Sequence, residues 1–275
     1  MRTNAGNRGA IDEPMERVSS RWDLVEGLRI HTLASIGPRE PDSPIVVLVH
    51  GLVVSSRYLT PTAERLAPHC RVYAPDLPGF GRSTKPPQVL NLSQLADFLA
   101  AWMEIHGPGS AILMGNSFGC QIVAETALRH PGRIDRAVLV SPTVDPRGRS
   151  LLRQAVRWMI NVTREPLSLA PILVRDYLDA GLRRTVLTFQ HMMRDRIEEK
   201  LPRLDVPTLV VRGARDPIVP QQWAEEATRL LPRGRLVVIP GAAHTVNYDA
   251  PRELASVILR FLGEERPGER WQKAA

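Results

Sequence analysis

Apolar residues along the chain fall into two kinds of run that take turns. Short, nearly unbroken Val/Ile/Leu stretches at Ile45–Val49, Arg71–Ala74, Ala111–Met114, Arg136–Val140, Thr208–Val211 and Arg235–Ile239 predict strands, several covered on both faces. Between them, apolar positions recur every three or four residues over Tyr58–Ala67, Leu92–Ile105, Gln121–Arg129, Gln221–Leu231 and Pro251–Leu262, which predicts helices. Strand and helix thus alternate from Ile45 to Arg136 and again from Thr208 onward, the pattern of a mostly parallel, doubly wound sheet. Nearer the start, Arg21–Val25 and Leu28–Leu33 flank Glu26-Gly27 and read as an antiparallel hairpin, giving eight strands in all.

The alternation is interrupted once, from about Pro142 to Leu204. This block holds the amphipathic stretches Leu151–Ile160, Ile172–Ala180 and Thr185–Lys200, punctuated by Pro146, Pro166, Pro171 and Pro202. An insertion after the sixth strand emerges at the carboxyl edge of a parallel sheet, so it reads as a helical cap above that edge. The resulting division is a leader over 1–20, a core of 21–141 with 205–263, a cap over 142–204 and a frayed tail over 264–275.

Composition narrows the class. A chain of 275 residues with 43% hydrophobic content can bury a substantial core, which excludes disordered and fibrous classes. Cys70 and Cys120 are too few for a disulfide framework and lack metal-ligand spacing; they read as small core residues in a reducing compartment. The first ten residues carry charge without an apolar stretch behind them, unlike a secretory signal, and no apolar run approaches the roughly 18 residues of a membrane span. A cytoplasmic protein without a membrane partner is expected, as a monomer or homodimer. The formal charge of +7 comes mostly from arginines interleaved with acids, without a basic run, which argues against nucleic acid. Much of it is local: residues 142–204 hold 12 Lys/Arg and 7 Asp/Glu, a net of +5.

Candidate chemistry begins at Gly115-Asn116-Ser117-Phe118-Gly119, a G-x-S-x-G run between a predicted strand and a predicted helix. A sharp turn there exposes the serine oxygen at the sheet edge, glycines make room for the turn, and the Phe118 N–H points where an oxyanion would develop. Such a serine needs a base, and the base a carboxylate that fixes its tautomer. Asp216, in Arg212-Gly-Ala-Arg-Asp216-Pro-Ile-Val-Pro220, and His244, in Gly241-Ala-Ala-His244, follow the seventh and eighth strands at the same edge.

With His50-Gly51 after the third strand and Asp76-Leu-Pro-Gly-Phe-Gly-Arg-Ser83 after the fourth, these motifs closely resemble those of the α/β-hydrolase superfamily, over roughly Trp22 to Leu262. The resemblance implies a catalytic triad of Ser117, Asp216 and His244 and a second oxyanion donor in the Leu52 N–H. His50 is expected to order its loop by hydrogen bonding. Asp145, after the sixth strand, stands where some relatives place the acid, but the setting of Asp216 is far more characteristic. Asp76 is expected to brace its loop through Gly81.

The resemblance also limits the reaction. Dehalogenases and epoxide hydrolases of the superfamily use an aspartate nucleophile, which Ser117 excludes. Carbon–carbon bond hydrolases share a similar elbow, but their first loop continues with glycine-proline-glycine, where this chain reads Leu52-Val53-Val54-Ser55-Ser56. Prolyl aminopeptidases and perhydrolases also carry first-loop patterns absent here. The expectation is a serine hydrolase, with no cofactor and no metal, that cleaves an ester or lactone of a small to medium, apolar substrate. Trp158, Tyr177, Phe189, Met192 and Met193 are the candidate substrate-binding residues. Alternative readings are a carbon–carbon hydrolase of aromatic ring-cleavage products and a slow-turnover ligand receptor.

Overall fold

The computed structural model describes residues 17–36, 43–106 and 110–263. Its strands are β1 (Val18–Val25), β2 (Leu28–Ser35), β3 (Ile45–Val49), β4 (Arg71–Pro75), β5 (Ala111–Asn116), β6 (Ile134–Val140), β7 (Thr208–Gly213) and β8 (Gly234–Ile239). They form one sheet in the order β1-β2-β4-β3-β5-β6-β7-β8. β2 pairs antiparallel with both β1 and β4, and every other pair is parallel. The order reverses at β3, with β4 on one side and β5 on the other. Loops leaving β3 and β5 therefore diverge and open a crevice at the carboxyl edge.

The α-helices in chain order are α1 (Thr60–Leu66), α2 (Leu92–His106), α3 (Phe118–Arg129), α4 (Leu151–Val162), α5 (Ala170–Ala180), α6 (Leu182–Arg194), α7 (Ile197–Lys200), α8 (Gln221–Leu230), α9 (Val246–Asp249) and α10 (Pro251–Gly263). Successive side chains of β3 point to opposite faces. Val47 and Val49 join a buried cluster with Leu99 and Trp102 of α2, Ile122 of α3 and Trp223 of α8. Val46 and Leu48 join a second cluster with Leu66 of α1, Val246 of α9 and Phe261 of α10. Two apolar layers on one sheet are what the unbroken Val/Ile/Leu runs require, because such strands must be covered on both sides. Cys70 and Cys120 are buried and free, one in each layer.

The hairpin turns at Glu26 and Gly27, both at positive φ (48° and 75°), the geometry whose twist matches that of paired strands. β1 starts at Val18 rather than Arg21, because Ser19 and Ser20, which carry no apolar signal, pair with Ala34 and Leu33. The expected leader is shorter by those residues; its remainder over 1–16, and the expected tail over 264–275, lie outside the described residues.

Helices α4 to α7 fill the chain between β6 and β7. The single helix expected over Thr185–Lys200 is two, α6 and α7. At Asp195 the backbone turns extended (φ −68°, ψ 140°), its carbonyl accepts from Arg149 Nη2 at 2.7 Å, and its carboxylate pairs with Lys200. Burial in this segment is inverted: Gln154, Asn161, Asp176 and Arg184 are buried, whereas Leu152, Met159 and Leu178 are exposed.

These environments set opposite costs for the same truncation. Leu48→Ala, in the middle of the sheet, is expected to lower unfolding stability by about 3–5 kcal/mol through lost burial and a residual cavity. Leu178→Ala should stay within about 0.5 kcal/mol of the parent. Urea unfolding of both variants checks the contrast.

Candidate active site

β5 ends at Asn116 and α3 starts at Phe118, so Ser117 alone makes the turn. Its backbone is strained, with φ 56° and ψ −117°, a conformation that costs on the order of 1–3 kcal/mol. The surroundings hold it there: the Ser117 N–H donates to the Val140 carbonyl at 2.9 Å. A Cβ on Gly115 would run into the Gly119 carbonyl, and one on Gly119 would run into the Val49 carbonyl oxygen. The two motif glycines thus let β5, α3 and the end of β3 meet at van der Waals distance. α3 begins three residues earlier than expected, which brings its N-terminal dipole right up to Ser117.

Asp216 and His244 come together from the ends of β7 and β8. Asp216 Oδ2 lies 2.9 Å from His244 Nδ1, and Oδ1 accepts the N–H groups of Ile218 (2.8 Å) and Val219 (3.0 Å). Both side chains are buried. Burial pushes the Asp216 carboxyl up, but the His244 charge and hydrogen bond, with the Val219 N–H, outweigh it and hold it below the usual range. Burial likewise pulls the His244 imidazole down, and the Asp216 carboxylate, with a contribution from Glu165, overcomes that and raises it. A carboxylate on Nδ1 leaves Nε2 free to exchange a proton, which is the arrangement a hydrolytic base requires.

The loop after β3 is the third side. A Cβ on Gly51 would sit 3.5 Å from Ser117 Cβ and 3.2 Å from the Asn116 carbonyl oxygen, so the Gly51-Leu52 segment lies directly against the elbow. Positive φ at Val53 (57°) turns the chain sharply after Leu52. His50 accepts the Leu77 N–H on Nε2 (3.1 Å), so its proton is on Nδ1, which donates to the Gly51 carbonyl (3.0 Å). Burial lowers its pKa, and a neutral ring spends both nitrogens on fixing the loop. This matches the ordering role expected of His50. Asp76 accepts the N–H groups of Ser56 (2.6 Å) and Arg82 (2.9 Å) and pairs with His31, and a Cβ on Gly81 would overlap its carboxylate. The expected bracing by Asp76 is what these contacts provide.

Three further contributors carry no motif. Tyr58 Oη accepts the Gly51 N–H (2.8 Å) and donates to Asn116 Oδ1 (2.9 Å), while Asn116 Nδ2 donates to the carbonyls of Val140 and His244 (both 3.3 Å). One buried chain of hydrogen bonds therefore links the loops that carry Leu52, Ser117 and His244. From the bend after α4, Glu165 accepts the Thr245 N–H at 2.9 Å and its hydroxyl, next to His244. Asp176 accepts the Ser55 hydroxyl at 2.7 Å and pairs with Arg57 on the loop after β3. The contacts of Tyr58 with Asn116, Glu165 with Thr245 and Asp176 with Ser55 span 58, 80 and 121 residues of sequence, so only a local oddity, a polar residue on an apolar stripe, could have flagged them.

Asp145 accepts from Arg157 (2.9 Å) and from the Arg147 N–H (3.0 Å), partners of its own that leave His244 to Asp216. Met192 is buried in the same apolar cluster as Phe118 and Val144, and Leu52, Tyr177, Phe189 and Met193 pack partly buried against it. Trp158 does not join them; it lies on α4 with 51% of its surface exposed. Among the described residues, no group of three or more His, Cys, Asp or Glu side chains is placed to hold a metal ion.

Tyr58→Phe would strip the Gly51 N–H of its acceptor and Asn116 of a donor in a buried setting, at an expected cost of about 1–3 kcal/mol in unfolding stability. Chemical denaturation beside the parent measures it; an unchanged midpoint would remove Tyr58 from the frame.

Residues 46–257 match the model of the alpha/beta hydrolase family. A carboxylesterase of Bacillus subtilis, YbfK, is 26% identical over 261 residues, covering 85% of this chain and 84% of its own. A pimeloyl-[acyl-carrier protein] methyl ester esterase of Yersinia enterocolitica is 26% identical over 243 residues, 78% of this chain and 92% of that one. Among solved structures, a membrane phospholipase A described as a bacterial virulence factor superposes with a TM-score of 0.75 at 24% identity, covering 90% of this chain and 86% of the other. The chain belongs to the α/β hydrolase family, as a serine hydrolase of the esterase-like kind.

Proposed function

We propose that this chain hydrolyses carboxylic esters of small to medium, apolar acyl groups, with Ser117, His244 and Asp216 as its triad and residues 142–204 as its cap. The observation that carries the reading is the strained Ser117 at the carboxyl edge, in the same buried hydrogen-bonded frame as the Asp216–His244 pair. In the proposed sequence, His244 Nε2 takes the Ser117 proton as Oγ attacks the ester carbonyl carbon. The N–H groups of Leu52 and Phe118 are the proposed donors to the oxyanion, which stabilise charge as it develops on the carbonyl oxygen. Protonated His244 then gives its proton to the leaving alcohol, and the acyl group stays on Ser117. Water, deprotonated by His244, attacks that acyl ester; as the second oxyanion collapses, protonated His244 returns its proton to the departing Ser117 Oγ and the acid is released. Tyr177, Phe189, Met192 and Met193 are the proposed apolar wall, supported by their packing against the cluster that includes Phe118. The ester-cleaving relatives favour this reading over carbon–carbon bond cleavage.

A p-nitrophenyl ester series of increasing acyl length tests the proposal. Turnover by the parent should fall by about a million-fold in Ser117→Ala, with the chain-length optimum reporting the depth of the apolar wall. Activity that survives Ser117→Ala, or absence of activity on every ester, overturns it.

The pH profile follows from the direction of the His244 shift. The base must be neutral to accept a proton and its pKa is raised, so kcat/KM should climb with pH through a midpoint above the ordinary value of 6.5. Asp216→Asn removes the raising partner and leaves burial in place. The midpoint should then move to lower pH while the plateau falls by about 10⁴.

A further inference from the structure

The side of helices α4, α5 and α6 turned away from the sheet is apolar, and its exposed charges are of one sign. Of sixteen large apolar side chains exposed among the described residues, twelve fall between Leu151 and Val186. Helix α4 shows the arrangement most plainly. Its polar Gln154 and Asn161 are buried, Gln154 donating to the Gly148 carbonyl at 2.9 Å, while Leu151, Leu152, Val156, Met159 and Val162 face out. α5 buries Asp176 and exposes Val174 and Leu178; α6 buries Arg184 and Thr188 and exposes Leu182 and Val186. An amphipathic helix in a water-facing position has the reverse orientation, so this surface is built to meet something other than water.

The charges indicate what it meets. Between residues 151 and 194 the exposed charged residues are Arg153, Arg175, Arg183 and Arg194, with no acid among them. The acids of this stretch are engaged within the molecule: buried Asp176 and partly exposed Asp179 pair with Arg57, and Glu165 holds Thr245. A second copy of this chain, docked face to face by a twofold axis, would set arginines against arginines, while the partly exposed acids, Asp179 and Glu165, are already engaged by Arg57 and Thr245. Aliphatic side chains, a half-exposed Trp158 and arginines whose long stems let the guanidinium reach outward are instead the composition of a helix lying in a lipid headgroup layer. No described helix is long and apolar enough to cross a membrane, and a surface association does not require one.

We propose that this face, carried by α4, α5 and α6, docks peripherally on bilayers rich in anionic phospholipid. The sequence alone favours no membrane partner, because periodicity reveals an apolar stripe without its direction; the outward orientation of the stripe changes that expectation. The proposal does not rest on the ester-hydrolase reading, since its measurement is binding.

Co-sedimentation of the full chain with vesicles of phosphatidylcholine, alone or with phosphatidylglycerol at about 30%, tests it. Binding is expected on the anionic vesicles, weak on the zwitterionic ones, and reduced at high salt. Leu152→Asp/Met159→Asp should lower partitioning by about tenfold or more, and Arg153→Gln/Arg175→Gln should lower it several-fold on anionic vesicles alone. Both variants should keep the parent circular dichroism and its hydrolysis of a soluble ester, which separates lost docking from misfolding. Absence of binding to either vesicle, or binding that neither variant changes, overturns the proposal. So does a concentration-dependent dimer in sedimentation velocity that Leu152→Asp/Met159→Asp abolishes without any vesicle binding, which would assign the face to a second copy.

Discussion

The close approach of three backbones at the end of β5 is the constraint on which the site depends. α3 can start directly under the β3 carbonyls only because position 119 has no Cβ, and β5 can turn into α3 only because position 115 has none. Those two absences confine Ser117 to a backbone conformation that an L-residue avoids, and the hydrogen bond from its N–H to Val140 helps to hold it there. The strain is local and is offset by burial around it, since Gly115, Phe118 and Gly119 all lie within the packed interior. Side chains play little part in this geometry. It is a contact between main chains, which is why it can be set by glycine alone.

Polar groups then complete what packing begins. Asn116 is buried in a strand otherwise given to Leu113 and Met114, and isolated there it would be costly. With Tyr58 on one side and two carbonyls on the other it is satisfied, and in being satisfied it fixes the spacing between three loops. The inserted segment adds Glu165 beside His244 and Asp176 beside the loop after β3. The inserted segment is therefore joined to the loops that carry residues 55 and 245 by hydrogen bonds and ion pairs.

Legibility in the sequence divides along the same line. The strands, most helices, the hairpin turn and the residues 117, 216 and 244 could be read because each is announced by its own neighbours: an apolar run, a Glu-Gly pair, a glycine two places away. Tyr58, Glu165 and Asp176 could not, because their roles are fixed by partners at positions 116, 245 and 55 that nothing local predicts. The break between α6 and α7 was hidden for the same reason: the amphipathic pattern runs on through Asp195, and contacts to Arg149 and Lys200 interrupt it. Trp158 illustrates a different loss. The periodicity of α4 correctly marked an apolar stripe but could not say which way it faced, and Trp158, expected in the pocket wall, lies half exposed.

The frame formed by Gly51, Tyr58, Asn116 and His244 has a consequence for how the molecule forms. Its members are separated along the chain by 58 residues between Tyr58 and Asn116 and by 128 between Asn116 and His244. No local segment can assemble it, and the entropy of closing such long loops must be met before its hydrogen bonds contribute anything. During refolding, helices and neighbouring strands can form while the frame is still open. The hydroxyl of Ser117 gains its final surroundings only when β3, β5 and the segment after β8 have all been docked.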